Sequence, residues 1–420
     1  MRPHKNMNKI LCLKCVRCGK AHGMEDIRYV CPSCNGNLQV VYDYGKIRKK
    51  LTRAFLKNNK DFSIRRYADI LPVEKTESLP ELQIGWTPMY RAQNLEKDSG
   101  ISKIYVKDDG RNPSASFKDR AGAVALARAL EADEEVIASA STGNAASSLA
   151  CLASYKDIQT VIFVPETAPT AKVAQLLVFG ATVISVRGTY DDAFDLCVKA
   201  SEEYGWYNRN TGFNPFTREG KKTCAFEICE QLDWKVPDWV FVPVGDGNII
   251  SGIWKGFTDF KKLGLISKLP RLWAVQAEKS DSVYRAWKSG GEIKPVSGET
   301  VADSISVSLP RDGLAAVKAV LESKGLALTV KDDEILSAIP ALARATGVFA
   351  EPAAAASYAG FKKAVHSGLI RKMETVVLLV TGNGLKDVQS AMKSVGKPYS
   401  IRPSLEDLKK LVETKNFGRN

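Results

Sequence analysis

The stretch Asn112-Pro-Ser-Ala-Ser-Phe-Lys118-Asp-Arg120 decides the fold, and it leads directly into an alanine-rich segment that ends at Leu130. Asn-Pro disfavours helix upstream, whereas Ser114 and Ser116 are both acceptable N-caps and the Ala and Leu residues favour helix. We therefore predict Lys118 in the first turn, where the helix dipole and burial disfavour the ammonium form. Because a nucleophilic lysine needs its neutral amine, Lys118 is a candidate nucleophile. A solvated lysine at a helix start is the alternative for this residue taken alone.

The composition is ordinary for a soluble chain, with 420 residues, 45% hydrophobic and 25% charged. No apolar run approaches the ~18 residues of a membrane span, and the first six residues lack the apolar core of a signal peptide, so we expect a cytoplasmic protein. Residues 1–75 contain 17 Lys and Arg against 6 Asp and Glu, which places +11 of the formal net charge of +13 there. Because no aromatic-interleaved motif accompanies this charge, we favour a solvated basic surface over a nucleic-acid partner.

Five of the nine cysteines lie in the first 34 residues, in a pattern typical of a metal site. Cys15-x2-Cys18-Gly and Cys31-Pro-Ser-Cys34-Asn-Gly form two dithiol knuckles, which suit tetrahedral zinc with four thiolates. We predict a structural Zn²⁺ bound by Cys15, Cys18, Cys31 and Cys34, with Cys12 as a spare. A disulfide pair is the alternative, and it is disfavoured in a chain without a secretory signal.

The chain begins with a small metal-binding unit and continues as alternating strands and helices. We interpret residues 1–44 as a zinc-ribbon-like domain with its last strand at 37–42, and residues 45–84 as a basic linking arm that packs on the body or on a partner subunit. Alternation beyond residue 85 predicts α/β architecture with parallel sheets, whose ligands gather where strands end and helices begin. The predicted strands are 104–106, 135–138, 160–164, 181–186, 239–244, 272–276 and 375–380. A short amphipathic helix at 404–412 is expected to pack against the rest.

Three glycine-bearing loops each follow a predicted strand. Ser141-Thr142-Gly143-Asn144 combines hydroxyls, an amide and helix-start N–H groups, which suit a substrate carboxylate, with a plain capping turn as the alternative. Residues 244–249, Val-Gly-Asp-Gly-Asn-Ile, suit a small monophosphate, because their spacing is neither a dinucleotide fingerprint nor a P-loop. Thr381, in Thr-Gly-Asn-Gly, offers a neutral hydroxyl to a ring nitrogen, with a plain turn as the alternative.

Together with Lys118, these loops provide an amine nucleophile, a carboxylate cradle, a phosphate cradle and a hydroxyl for a heteroaromatic nitrogen. Pyridoxal 5'-phosphate needs that set of groups. The sequence therefore predicts this cofactor and a small amino-acid substrate.

Six stretches, in order and spacing, resemble the threonine synthase family of the pyridoxal-phosphate enzymes that share the tryptophan synthase β-like fold. They are Asn112-Pro-x-x-Ser-Phe-Lys-Asp-Arg120, Ser141-Thr-Gly-Asn144, Asn214-Pro215 with Glu219-Gly-x-Lys-Thr223, Pro243-Val-Gly245, Glu351-Pro-Ala-Ala-Ala-Ala356 and Thr381-Gly-Asn-Gly-Leu-Lys-Asp387. The resemblance spans about residues 85–387, and a zinc-ribbon-like start occurs in some members. It implies fold type II with two parallel-sheet domains, a large one at 85–130 and 205–395 and a small one at 131–204, followed by a helical tail at 396–420. We also expect a homodimer.

The resemblance implies a reaction and a role for each site residue. Lys118 would hold the cofactor and move protons at Cα and Cβ of the substrate, converting O-phospho-L-homoserine and water to L-threonine and phosphate by γ-elimination and β-addition of water. The cofactor's phenolic oxygen is assigned to Asn144, its ring nitrogen to Thr381, and its phosphate to Gly245, Asp246, Gly247, Asn248 and Ile249. The substrate carboxylate is assigned to Ser141, Thr142 and Asn144.

One position departs from the family pattern. Two residues after the proline of Asn214-Pro215, where the family has an arginine that helps to hold the substrate phosphate, this chain has Thr217, and the arginine is Arg218. Either Arg218 reaches the substrate phosphate from a shifted loop or the leaving group differs. The other functions considered are a pyridoxal-phosphate ammonia-lyase or β-replacement enzyme acting on Ser, Thr or phosphoserine, and a binding protein on a retired enzyme scaffold.

Overall fold

A computed structural model describes residues 7–26 and 29–415, so residues 1–6 and 27–28 of the predicted ribbon and 416–420 of the predicted tail lie outside the described residues. The strands are β1 (Ile10–Cys15), β2 (Ala21–His22), β3 (Leu38–Tyr42), β4 (Met89–Arg91), β5 (Lys103–Asp108), β6 (Val136–Ala140), β7 (Gln159–Pro165), β8 (Thr182–Val186), β9 (Tyr207–Asn208), β10 (Trp239–Pro243), β11 (Arg271–Ala277), β12 (Leu326–Val330) and β13 (Thr375–Val380). The α-helices are α1 (Tyr44–Ile47), α2 (Arg53–Asn58), α3 (Gln93–Ser99), α4 (Lys118–Glu131), α5 (Asn144–Lys156), α6 (Thr170–Val178), α7 (Tyr190–Glu203), α8 (Thr217–Lys221), α9 (Thr223–Gln231), α10 (Asn248–Lys262), α11 (Ser282–Ser289), α12 (Gly313–Glu322), α13 (Asp332–Thr346), α14 (Pro352–His366), α15 (Val388–Lys393) and α16 (Leu405–Lys415).

The larger sheet has the strand order β12-β11-β10-β13-β5-β4 and is parallel apart from the edge strand β4. Successive residues of β13 face two different cores: Val377 and Leu379 pack in one, and Val376 and Leu378 pack in the other. Burial of both faces explains why this strand is an unbroken apolar run, since helices cover a parallel sheet on both sides.

The smaller sheet is fully parallel, in the order β8-β7-β6-β9. The three glycine-bearing loops follow β6 of this sheet and β10 and β13 of the larger one. The predicted α/β class with two parallel sheets and an N-terminal ribbon-like extension is therefore confirmed. The exact domain boundaries stay a proposal, and β9 lies beyond the predicted limit of the small domain at residue 204.

The N-terminal extension, called the ribbon here (residues 7–26 and 29–43), is a three-stranded antiparallel sheet in the order β2-β1-β3. The arm that follows packs on the body of its own chain: Leu56, Ile64 and Tyr67 are buried in the main core. Arg66 of the arm forms a buried ion pair with Glu230 of α9, with an N–O distance of 2.6 Å. The arm therefore contacts the body of its own chain, one of the two locations expected for it.

Several local predictions need correction. The strand β12 was not predicted, because Leu-Ala-Leu also suits a helix. Neither Ser114 nor Ser116 is the N-cap of α4. The N-cap residue is Phe117, which provides no side-chain cap, and the Ser114 backbone N–H instead donates to Asp119 Oδ2 at 2.7 Å. The described part of the tail helix α16 has no buried residue, and its expected packing stays a prediction. Among the described residues, no helix is both long enough and apolar enough to cross a membrane.

A fully buried ion-pair network fixes the start of α4 to the larger sheet. Arg120, two residues after Lys118, donates from Nη2 to Asp109 Oδ1 at 3.0 Å and to Glu227 Oε2 at 2.8 Å. Lys107 of β5 reaches the same Glu227 Oε2 at 2.7 Å. Burial alone would raise the pKa of Glu227, but Arg120 and Lys107 outweigh it and lower that pKa. The carboxylate therefore stays ionised, and the two cations stay paired.

Removing the Glu227 charge tests this network. We expect Glu227→Gln to lower the free energy of unfolding at pH 7 by about 3–5 kcal/mol, because it leaves buried cations underpaired. Since the folded-state pKa is depressed, this contribution is present above the unfolded pKa of about 4.3 and is lost as the pH falls further. Denaturant unfolding measures it, with the exposed Glu406→Gln as the matched control that should change stability by less than about 0.5 kcal/mol. Equal stability of the two variants would contradict the role of the network.

Candidate active site

Lys118 is the first residue of α4, as predicted, and the loop before it is tied to the third glycine loop. The Phe117 N–H donates to the Thr381 carbonyl at 2.8 Å, and the Asn383 N–H donates to the Ala115 carbonyl at 3.1 Å. These two backbone bonds bring the lysine and the end of β13 together. Two segments more than 260 residues apart in the sequence are therefore in direct contact at the site.

Lys118 lines two adjoining cavities. The inner chamber, of about 40 Å³, is lined by all the residues predicted to bind the cofactor: Lys118, Asn144, Gly245, Asp246, Gly247, Asn248, Ile249 and Thr381. The outer cavity, of about 500 Å³, is lined by the residues predicted for the substrate carboxylate: Ser141, Thr142 and Asn144. Lys118, Asn144 and Asp246 belong to both linings, so the two spaces meet at the lysine.

The glycine loop between β10 and α10 needs its glycines for close approach. A Cβ on Gly245 would stand 2.9 Å from Ile305 Cα, and one on Gly247, which has φ of +87°, would stand 2.8 Å from the Asp312 carbonyl oxygen. Both distances exclude a side chain. The loop ends at the first turn of α10, whose N–H groups and dipole favour an anion.

The surroundings of Lys118 favour its neutral amine. Burial lowers the pKa of Lys118; the Glu351 carboxylate opposes that shift, and the Arg209 guanidinium adds to it. A second lysine of the inner chamber, Lys221, is fully buried, and its pKa is also lowered by burial and then by Lys118. The Lys221 Nζ is held by Asn248 Oδ1 at 2.5 Å.

Asn144, at the start of α5, faces a carboxylate that the sequence did not single out as a site residue. Its Nδ2 lies 3.0 Å from both oxygens of Glu351, at the start of α14. Burial raises the pKa of Glu351, although Asn144 and Lys118 counteract it. The quoted Glu351-Pro352 stretch was the available signal, because it stands at a helix start directly after a loop.

Arg218, which the sequence analysis assigns to a substrate phosphate, is engaged by a carboxylate of its own chain. Its Nη2 donates to Asp312 Oδ1 at 2.6 Å and Oδ2 at 2.8 Å in a buried ion pair. Arg218 is absent from the described residues that line the two cavities. Its partner is 94 residues further along the chain, which the sequence pattern could not indicate.

Arg209, which the sequence prediction missed, lines the outer cavity beside Lys118. It is 0% exposed; its Nη1 donates to Thr211 Oγ1 at 3.1 Å, while Nε and Nη2 have no hydrogen-bond partner among the described residues. Burial lowers its pKa to about 10, which still leaves it a cation at neutral pH. A buried guanidinium with free donors calls for an anion.

The four predicted zinc ligands also come together. The sulfur atoms of Cys15, Cys18, Cys31 and Cys34 all lie within 4.8 Å of one another. The Sγ–Sγ distances are 3.5 Å for Cys15 and Cys34 and 3.7 Å for Cys18 and Cys31. Since a tetrahedral ion with Zn–S bonds of about 2.3 Å separates its sulfurs by about 3.8 Å, this geometry fits the metal.

Comparison with known proteins agrees with this geometry. The family described as "pyridoxal-phosphate dependent enzyme" matches residues 80–382. A structural neighbour, diaminopropionate ammonia lyase of Escherichia coli, has a TM-score of 0.65 at 18% identity, covering 82% of this chain and 92% of its own, which shows a shared fold. The chain therefore belongs to the pyridoxal-phosphate dependent enzymes of the tryptophan synthase β-like fold.

Within that class it belongs to the threonine synthase family. It is 40% identical over 403 residues to threonine synthase of Methanocaldococcus jannaschii, covering 95% of this chain and 99% of the relative. It is also 40% identical over 410 residues to threonine synthase of Methanosarcina acetivorans, covering 97% and 99%.

The residues present fit pyridoxal phosphate on grounds independent of these comparisons. A glycine loop without room for a Cβ opens a helix at the inner chamber, and an amine with a lowered pKa lines the same chamber. The site thus offers one place for an anionic group and one for an aldehyde. The guanidinium of Arg209 offers a place for a second anion in the outer cavity.

Proposed function

We propose that the chain converts O-phospho-L-homoserine and water to L-threonine and phosphate. The observation that supports this most is the buried, partly unpartnered guanidinium of Arg209 in the cavity that also contains Lys118. A phosphorylated substrate supplies an anion for this guanidinium in addition to the carboxylate that is assigned to Ser141, Thr142 and Asn144, whereas unphosphorylated serine or threonine has only the carboxylate. The names of the 40% identical relatives agree with the proposal.

Each residue assigned to the cofactor site then has a role in binding or in proton transfer. Pyridoxal phosphate, when bound, supplies an electron sink for the carbanion at the substrate Cα. Lys118 would hold it and move protons at Cα and Cβ, which requires the neutral amine that burial favours. Residues 245–249 would hold its phosphate, Asn144 its phenolic oxygen and Thr381 its ring nitrogen.

The substrate would be held at both ends. Ser141, Thr142 and Asn144 line the outer cavity at the start of α5, where a carboxylate is favoured. The phosphate would lie against Arg209, which replaces Arg218 in this proposal because the Arg218 guanidinium is engaged by Asp312. When the Cγ–O bond breaks, phosphate leaves with the bonding electron pair, and Arg209 would stabilise its charge.

Zinc is proposed as the ion of the four-cysteine cluster, supported by its sulfur spacing. The cytoplasmic location and the homodimer expected from the sequence stay predictions.

The reaction is tested by supplying the holoenzyme with O-phospho-L-homoserine and measuring products. We expect threonine and phosphate in equal amounts, and a fall in kcat of at least about 10²–10⁴-fold for Lys118→Ala, because the variant lacks the proton-transferring amine. The exposed Lys410→Ala serves as the control and should retain full activity. Release of ammonia from serine or threonine, without phosphate from phosphohomoserine, would instead identify an ammonia-lyase.

The choice between the two arginines is tested by Arg209→Ala and Arg218→Ala. We expect Arg209→Ala to lower kcat/KM for phosphohomoserine by about 10–100-fold, the loss of a charged hydrogen-bond donor, with the absorbance of the bound cofactor unchanged. Arg209→Lys should recover part of the loss because it keeps the charge. A loss that follows Arg218→Ala alone, at unchanged cofactor content, would restore the original prediction.

The metal is tested by elemental analysis of the purified protein. We expect about one zinc ion per chain, and none after Cys15→Ser, because three sulfurs hold the ion far less tightly than four. Cys12→Ser is the matched control, since Cys12 lies on the same strand outside the cluster, and it should retain zinc. Equal zinc content in the two variants would contradict the assignment of Cys15 as a zinc ligand.

A further inference from the structure

The ribbon contacts the catalytic body next to the glycine loop. Residues at both cysteine knuckles form hydrogen bonds to the same segment, the residues just before and within α12. Directly after the second knuckle, Asn37 Nδ2 donates to the Arg311 carbonyl at 2.6 Å and to Asp312 Oδ1 at 3.0 Å. Beside the first, the Val16 carbonyl accepts from Lys318 Nζ at 2.5 Å. The residues beside the cysteine cluster thus contact residues 311–318 of the catalytic body.

The position of Asn37 depends on the cysteine cluster. Asn37 follows the second knuckle directly, and its carbonyl accepts from the Val16 N–H at 2.9 Å, one residue after Cys15. A Cβ on Gly36 would stand 2.8 Å from the Cys15 sulfur, so the chain before Asn37 lies against the cluster. A metal that joins Cys15 to Cys34 therefore fixes the chain before Asn37 and also Val16, to which the Asn37 carbonyl is hydrogen-bonded.

Asp312 carries the contact on to the cofactor loop. This buried carboxylate accepts from Asn248 Nδ2 and Ser251 Oγ, each at 2.8 Å, on the first turn of α10. Its backbone N–H donates to the Asp246 carbonyl at 2.9 Å, and its carbonyl oxygen occupies the space next to Gly247. Every one of these contacts falls within the glycine loop or the first turn of the helix that follows it.

We propose that Asn37 is a positioning residue through which the metal-bound ribbon holds the phosphate-binding loop in shape. Metal binding fixes Asn37, Asn37 orients Asp312, and Asp312 holds residues 246–248 in the conformation that grips the cofactor phosphate. The inference rests on the proposed function only in taking residues 245–249 as the loop that holds that phosphate. The ribbon would thus contribute to the active site without contacting the substrate or the cofactor directly.

Other contacts between the N-terminal region and the body land farther from the loop and provide a comparison. Tyr44 OH donates to Asp259 Oδ1 at 2.7 Å, and Asp259 is also paired with Lys222 at 2.9 Å. Like Asp312, Asp259 is a buried carboxylate with several partners, but it lies on α10 itself, 11 residues after Asn248 and about 16 Å along the helix. Removing Tyr44 OH therefore weakens docking by a similar bond without touching the loop.

The test measures cofactor affinity, by dialysis and by the absorbance of bound pyridoxal phosphate, in Asn37→Ala and Tyr44→Phe proteins that contain their metal. We expect Asn37→Ala to raise the dissociation constant of the cofactor about tenfold, as for loss of a hydrogen bond to a charged group. Tyr44→Phe should leave it unchanged. Chelation of the metal from the wild-type protein should cause a similar rise, and chelation from Asn37→Ala little further change, because both act through one contact.

Three outcomes would overturn the inference. These are unchanged affinity in metal-replete Asn37→Ala, equal losses in Asn37→Ala and Tyr44→Phe, or metal removal that adds its full effect on top of Asn37→Ala. Metal removal from the wild-type chain requires no variant, so the comparison holds even if Asn37→Ala folds poorly. The readout needs no substrate: a protein that fails to make threonine but shows the Asn37 effect contradicts only the proposed reaction.

Discussion

The fold at the site depends on one buried arrangement of charges, in which Arg120 pairs with Asp109 and Glu227 while Lys107 shares Glu227. These groups come from β5, the turn after it, α4 and α9, so their pairing fixes the start of α4 relative to the larger sheet. Since leaving a buried charge without its partner costs about 3–5 kcal/mol, this geometry permits little displacement. Lys118, two residues before Arg120, acquires its place in the cavity as a consequence.

The second constraint is the sign of the charge in the cavity. Lys118, Lys221 and Arg209 lie near one another, and each has a pKa lowered first by burial. Burial disfavours the charged form of each group, and anions that bind there meet hydrogen-bond donors already in place. A cofactor phosphate at the start of α10 and a substrate phosphate at Arg209 would satisfy both ends of the cavity. The electrostatics of the cavity thus favour a complex in which two anionic groups are bound.

The sequence predicted the elements whose signals are local. Apolar runs such as 375–380 indicated buried parallel strands, and the glycine turns after β6, β10 and β13 indicated where ligands gather. It did not predict Arg209, since a lone arginine is normally exposed and the strand before it has only two residues. Arg218 was chosen for its distance from Asn214-Pro215, but its orientation is set by Asp312, which no local pattern connects to it. The contact of Asn37 with Asp312 likewise depends on tertiary packing across 275 residues.

Two lysines with lowered pKa values, Lys118 and Lys221, line the inner chamber, and the proposed mechanism requires that only Lys118 bonds to the cofactor. Lys221 is held by Asn248, whereas Lys118 has no such bond described. The direct measurement is borohydride reduction of the holoenzyme followed by peptide mapping by mass spectrometry. We expect a reduced pyridoxyl-phosphate group on Lys118 alone; a label on Lys221, or none on either lysine, would contradict the role of Lys118.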